Sequence, residues 1–136
     1  MKCDKSIGNV NIKLDSSRFY NNLRNAQKLL NMQVAADCDE YIPYLNGALR
    51  GSQYYPAGIY GGSVAWNASY AHYQYMGELY LTKDGSSYAE KYEKKYPSGE
   101  KLEYHTPGTG ANWFEEAKRV HGQQWIDLVK REAGKG

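Results

Sequence analysis

Three histidines, two cysteines and a scatter of carboxylates are the side chains with which this chain could do chemistry. His72, His105 and His121 lie too far apart for the i, i+4 spacing that sets two imidazoles on one helix face. Glu103 and His105 alternate onto one face of a strand and could supply two metal ligands. A metal site needs three or four, and neither Cys nor another His lies nearby in sequence. His121 sits beside the apolar stripe of a C-terminal helix, a position that suits a partly buried helix histidine better than a base. His72, between tyrosines, reads as a surface residue or a pH-sensitive contact. Gly108-Thr109-Gly110 reads as a helix entry, and helix N-termini attract anions. The phosphate loop, however, needs a Lys after its last Gly, and none follows. There is no Gly-x-Ser-x-Gly elbow and no His-Glu-x-x-His, and the carboxylates offer no acid/base pair. Cys3 and Cys38 lack Cys-x-x-Cys spacing and read as unrelated reduced thiols. The Asn67-Ala68-Ser69 glycosylation acceptor reads as structural in the same way. The expectation is no catalytic residue, no metal and no cofactor.

The elements around these residues are readable from periodicity. Val10, Ile12 and Leu14 alternate with polar residues, as in a half-buried strand within residues 6–14. Asp15 and Ser16 offer N-cap oxygens, and the period then changes. Phe19, Leu23, Ala26, Leu30 and Val34 mark one face of a helix running to about residue 38, with Asn21, Arg24, Asn25 and Lys28 opposite. Residues 41–55, with Pro43 and Asn46-Gly47, suit a docked loop ending in a helical turn, in which Leu45 and Leu49 are candidate core residues. Residues 57–67, through Ile59, Tyr60, Val64 and Trp66, read as a hairpin. Tyr70–Gly77 reads as a short helix capped by Ser69 and ended by Gly77. Leu79–Thr82 is a strand entering an Asp84-Gly85 turn. An exposed excursion over about 84–100 follows, with a helical turn near Tyr88–Tyr92, and residues 101–105 return as a strand. The last helix opens at Thr109 or Gly110, with a stripe of Trp113, Phe114, Ala117, Val120, Leu128 and Val129, and Gly122 softens its middle. Glu115 and Glu116 near its start, and Lys130 and Arg131 near its end, carry the signs the helix dipole prefers. The fold class is α+β: a small mixed or antiparallel, barrel-like β-sheet flanked by a long N-terminal and a C-terminal helix, in one domain over residues 1–136.

Composition bounds the function. Seventeen Lys and Arg against fifteen Asp and Glu leave a net charge of +2, which excludes a nucleic-acid binder resting on a dense basic patch. No run approaches the ~18 apolar residues of a membrane helix. Met1-Lys2-Cys3-Asp4-Lys5 leads into no apolar stretch, so no signal peptide is expected and the chain reads as soluble and intracellular. Fourteen Tyr against two Phe suit either a core rim or surfaces that are sometimes wet and sometimes buried.

Tyr41-Ile42-Pro43-Tyr44-Leu45-Asn46-Gly47-Ala48-Leu49-Arg50 resembles the Pro-x-x-Thr-Gly-x-Leu-Arg segment of small tailed-bacteriophage proteins known as minor capsid, neck or tail-completion proteins. Asn46 stands where the family usually has Thr. Val64-Ala65-Trp66-Asn67 and Tyr70-Ala71-His72-Tyr73-Gln74-Tyr75 are similar to the strand and Tyr-Ala-x-Tyr helix of that family. Leu102–Gly110 and Trp113–Lys118 are similar to its closing segment, and together the matches cover about residues 15–130 in the family's order.

The resemblance implies a structural, non-enzymatic role in the head–tail connector. It implies a homo-oligomeric ring of six or twelve copies around the DNA channel, at the neck or tail junction of the virion, after assembly in the host cytoplasm. Its partners would be other copies of itself, neighbouring head-closure or adaptor and tail-terminator proteins, and genomic DNA that passes without sequence-specific binding; no membrane is involved. A near-neutral charge suits a channel in which DNA slides. Ring subunits need aromatic and Arg anchors. Tyr41, Tyr44, Arg50, Tyr54 and Tyr55 of the loop, with Tyr73 and Tyr75 of the short helix, are the candidate interface residues. Two other classes stand beside this one. A cell-wall glycan-binding module would stack sugars on Tyr54, Tyr55 or Trp66. An enzyme centred on His105 with Glu103 ranks last.

Overall fold

The computed structural model describes residues 2–44 and 47–135; Leu45 and Asn46, and with them the expected core leucine and the first residue of the Asn-Gly turn, lie outside the described residues. The chain opens with a hairpin, β1 (Lys2–Ile7) against β2 (Val10–Asp15), described through its backbone; the burial expected for Val10, Ile12 and Leu14 lies outside that description. α1 (Ser17–Asp39) follows, then a loop closing in a 3-10 turn at Arg50–Ser52. β3 (Gln53–Tyr54) pairs antiparallel with β4 (Ala65–Trp66). α2 (Ala71–Met76), β5 (Glu78–Thr82), β6 (Lys95–Lys101) and α3 (Trp113–Ala133) complete it, with β5 and β6 antiparallel. The α+β expectation holds in its antiparallel form. The strands stand as three separate pairs, and the two long helices, rather than a closed sheet, make the centre.

α1 and α3 run antiparallel. Asn22 near the start of α1 donates from Nδ2 to the Ala133 carbonyl (3.5 Å) and the Lys135 carbonyl (2.5 Å), while Asp37 near its end accepts from Trp125 Nε1 at 2.7 Å. Ala26, Ala35 and Cys38 on α1 and Ala117 on α3 are buried, and such small side chains let two helix axes approach closely. Ile42 and Leu49 of the loop, Ala71 of α2 and Trp113 and Trp125 of α3 fill out the core. Trp113 meets Trp66 edge-on, with ring centroids 5.7 Å apart, and Tyr75 at 4.7 Å. That geometry is favoured by the ring quadrupoles. It ties β4 and α2 to the first residue of α3.

One buried polar residue fastens α1 to the loop between β3 and β4. Asn31 donates from Nδ2 to the carbonyls of Ile59 (2.8 Å) and Gly61 (2.6 Å) and accepts from Gln27 Nε2 at 2.9 Å. Arg24 reinforces the join by lying 4.2 Å over the Tyr60 ring. Leucine at position 31 keeps the branched outline of Asn, is bulkier and has no donor, so both carbonyls lose their partner. Asn31→Leu is expected to lower stability by about 1–2 kcal/mol in urea unfolding.

Several expected elements are placed differently. The return strand is residues 95–101 rather than 101–105. It contains Pro97, Ser98 and Gly99, and it is exposed along nearly all its length, so no alternation marks it. No helical turn forms near Tyr88–Tyr92; Tyr92 instead has a positive φ of 71° within an exposed turn. The β3–β4 pairing involves residues 53–54 and 65–66, and Ile59, Tyr60 and Val64 belong to the connecting loop. α3 begins at Trp113, not at Thr109 or Gly110, because Asn112 is left-handed (φ 53°) and a right-handed helix cannot extend back through it. Gly122 leaves α3 unbroken. Tyr70 rather than Ser69 occupies the N-cap of α2, whereas Gly77 does end that helix, at φ 75°. A Cβ at Gly77 would also lie 2.8 Å from that of Ala111, so the position needs glycine twice over. On α1, Ala26, Leu30 and Val34 turn inward as expected, but Phe19 and Leu23 are exposed. Val120 of the α3 stripe is exposed as well, and Trp125 is the buried residue instead.

Candidate subunit interface

The loop after α1 is held from both ends. Ile42 and Leu49 are buried, and between them the chain turns through Gly47 with φ 81°. Arg50 reaches back across the loop and donates from Nε (3.0 Å) and Nη2 (2.9 Å) to the single carbonyl of Ile42. Its guanidinium lies 5.0 Å from the centroid of the Tyr44 ring. Thr106 Oγ1 donates to the Tyr44 carbonyl at 2.9 Å, and the Gly110 amide to the Tyr41 carbonyl at 3.2 Å. The 102–112 segment therefore docks the loop's backbone and leaves the Tyr44 ring in solvent. Pro43, Tyr44, Leu49, Tyr70, Gln74, Tyr104, Glu103, His105 and Thr106 line a groove of about 310 Å³.

The seven candidate residues do not form one patch. Tyr44 and Arg50 meet, with Tyr44 exposed and Arg50 committed to its own loop. Tyr41 is half-buried, edge-on to His121 at 6.3 Å. Tyr54 is exposed on β3, and Tyr55 beside it is half-buried. Tyr73, half-buried on α2, lies 4.9 Å from Tyr80 and has Lys95 Nζ 5.4 Å from its centroid. Tyr75, two residues on, faces the core against Trp113. Residues two apart on a helix point to different sides, which divides this pair. Trp66 also turns inward onto Trp113 rather than forming an open stacking platform beside Tyr54.

The remaining chemistry-capable residues are dispersed. Glu103 and His105 are exposed, and among the described residues no group of three His, Cys, Asp or Glu side chains is arranged to hold a metal ion. Gly108-Thr109-Gly110 precedes α3 by a turn and is not its N-terminus. The Cys38 thiol is pushed up to about 12 by burial and by the neighbouring Asp37 and Asp39, so it stays protonated and unreactive. The Cys3 side chain lies outside the described ones. His72 is exposed beside Tyr73, at 5.8 Å between centroids.

His121 has a defined structural task. Its Nε2 lies 3.0 Å from Glu40 Oε1, its Nδ1 3.4 Å from Gln124 Oε1 and 4.0 Å from Asp37 Oδ2. The Glu40 hydrogen bond, above all, raises its pKa from the ordinary value. The protonated ring therefore stabilises the α1–α3 seam fully below the ~6.5 of a free imidazole. That contribution is lost as pH rises through the higher folded-state pKa. The melting temperature is expected to fall over that window in the native chain and to change less in His121→Gln, as followed by circular dichroism.

Exposed aromatic and apolar side chains that the sequence reading missed include Phe19, Tyr20 and Leu23 on α1 and Tyr60 beside Arg24. Their residue types look like core, and nothing in a single-chain periodicity separates covered from uncovered faces. Among the described residues, no helix is long and apolar enough to cross a membrane. No curated protein and no solved structure matches the chain. The family described as "Minor capsid protein" matches residues 9–133, nearly the whole length, and this is the family of the bacteriophage resemblance carried by residues 41–50, 64–75 and 102–118. The chain belongs to the minor capsid protein family, structural proteins of the phage virion.

Proposed function

We propose that this minor capsid protein acts at the neck of the particle, as a subunit of the ring that joins the DNA-filled head to the tail. The observation that carries the reading is the presence of large apolar side chains in solvent on separate elements: Phe19, Tyr20 and Leu23 on α1, and Tyr44 and Tyr54 on the loop and β3. A head-to-tail ring requires two different patches on each subunit, one given and one received. Tyrosines serve such contacts well, since each supplies area and a hydrogen-bonding group at low entropic cost. Other copies of the chain are its lateral partners, in a ring of six or twelve, with head-closure and tail-terminator proteins above and below. DNA crosses the lumen unread, in keeping with a net charge of +2.

The test is electron microscopy of lysates from a phage carrying a stop codon at Gln27. Filled heads and complete tails lying apart are expected. Joined, infectious particles would remove the neck reading, and joined but non-infectious particles would move the protein to the tail tip or to DNA delivery.

A further inference from the structure

α1 carries its charges against its own dipole. Its first turn holds Arg18 and no carboxylate, and its last turn holds Asp37 and Asp39 and no cation, with Glu40 as the C-cap. Cations at a helix start and carboxylates at its end both weaken that helix. From Ser16 to Ala36 the sequence has Arg18, Arg24 and Lys28 and not one Asp or Glu. Arg18 and Arg24 are exposed and Lys28 is half-buried.

Packing against α3 adds to the imbalance. Asn22 donates to the Ala133 and Lys135 carbonyls, so the first half of α1 lies beside the last turns of α3, with exposed Lys130, Arg131 and Lys135. This half of the pair holds six cations against Asp127 and Glu132. Residues 1–15, which lead into α1, add three Lys against two Asp and do not reverse the sign. The Asp37–Trp125 and Glu40–His121 contacts mark the other half. There Asp37, Asp39, Glu40, Glu115 and Glu116 outnumber Lys118, Arg119 and the nearby Arg50. A protonated His121 adds one more cation and still leaves the carboxylates in the majority. Arg18, Asp39, Glu115 and Lys130 are held in no ion pair among the described residues.

Within one copy the two halves cannot neutralise each other. From Arg18 to Asp39 the helix rises about 30 Å. The Debye length at physiological salt is only ~8 Å. The basic half also carries apolar side chains in solvent, with Phe19, Tyr20 and Leu23 57%, 63% and 41% exposed. Phosphates would engage the cations and leave those side chains in water. A protein surface uses both, since interfaces combine apolar anchors with a charged rim. In a heterologous ring every subunit gives one patch and receives a different one, in equal numbers. This chain encodes both patches, with opposite signs. We propose that the basic half of one copy's α1–α3 pair docks on the acidic half of the next. Charges that weaken α1 in the single chain then become complementary across the contact. The proposal rests on the self-association in the ring reading and is independent of where the ring sits in the virion.

The test is a charge-reversal cycle, with full-length variants supplied from a plasmid to a phage carrying the Gln27 stop. The readout is the amount of this chain in purified particles. Arg18→Glu, Lys28→Glu and Lys130→Glu together turn the basic half acidic, and Asp39→Lys with Glu115→Lys turns the acidic half basic. Each set should lower incorporation at least about tenfold, because like charges then face each other. All five substitutions in one chain should restore most of it. Arg18→Glu and Asp39→Lys alone both suit the α1 dipole. Each should therefore melt no lower than the native chain by circular dichroism and still lose incorporation, which separates assembly from folding. Native incorporation of both sets, or a five-substitution chain no better than either set, would overturn the proposal. The second result would assign the charges to DNA or to another virion protein. Recovery by the five-substitution chain, together with joined particles from the uncomplemented stop, would sink the neck reading and leave this contact standing. A single copy per particle would remove the ring and the contact with it.

Discussion

Trp113→Ala is expected to lower folding stability by about 3–5 kcal/mol, the range for removing a buried Trp. Trp113 is 2% exposed and belongs to the cluster of Cys38, Ile42, Leu49, Ala71, Ala117 and Trp125. It also receives Trp66 and Tyr75 edge-on. One side chain therefore joins α1, the docked loop, β4, α2 and α3. The walls of the void would be helices and a stapled loop, which collapse poorly, so the cost should sit high in the range. Domains of this size have only ~5–15 kcal/mol in total. Trp113→Phe provides the control. The Trp113 Nε1–H has no hydrogen-bond partner among the described residues, so Phe removes volume without orphaning an acceptor, and most of the stability should return. Urea midpoints measure both. An Ala variant within 1 kcal/mol of the native chain would show that the centre of the fold lies elsewhere.

The sequence made the two long helices legible because each repeats apolar residues at helical steps. It said less about which parts of those stripes are covered. Phe19 and Leu23 continue the α1 stripe yet stand in solvent, since periodicity records amphipathicity and not the presence of a cover. The α1–α3 seam was harder to see because polar residues fill part of it. Asp37 looks like surface until Trp125 Nε1 is found as its partner, and His121, half-buried as its place beside the stripe suggested, gives no sign in sequence of its partner Glu40. Asn31 and Glu132 are buried polar residues of the same kind, one satisfied by carbonyls of the 57–64 loop and the other lying 2.8 Å from Lys135 Nζ. Apart from the local Glu132–Lys135 pair, these contacts span 28 to 88 positions in sequence, beyond any local pattern. β6 was hidden for the opposite reason: an exposed edge strand needs no apolar residue on either face.

The docked loop shows where residue type misleads about role. Arg50 reads as an exposed anchor, but both its forked donors end on the Ile42 carbonyl inside its own loop. Ile42 is fully buried, so that carbonyl has little access to water. Hydrogen bonds from a charged donor contribute about 1.5–3 kcal/mol, and Arg50→Ala is expected to lose that much in urea unfolding. Arg50→Lys should recover only part, since an ammonium lacks the planar fork that reaches one oxygen from two nitrogens. Tyr44 is the opposite case. Its ring is about half exposed, and removing it forfeits an exposed cation–π contact of about 0.5–1 kcal/mol. Stability and assembly therefore separate at these two residues. If the loop meets a neighbour, Tyr44→Ala should reduce joined particles while folding stays nearly intact, and Arg50→Ala should reduce both. Normal yields of joined particles from Tyr44→Ala would take the loop out of the interface and leave Arg50 as a clasp, whose whole effect on assembly runs through the folding of its own chain.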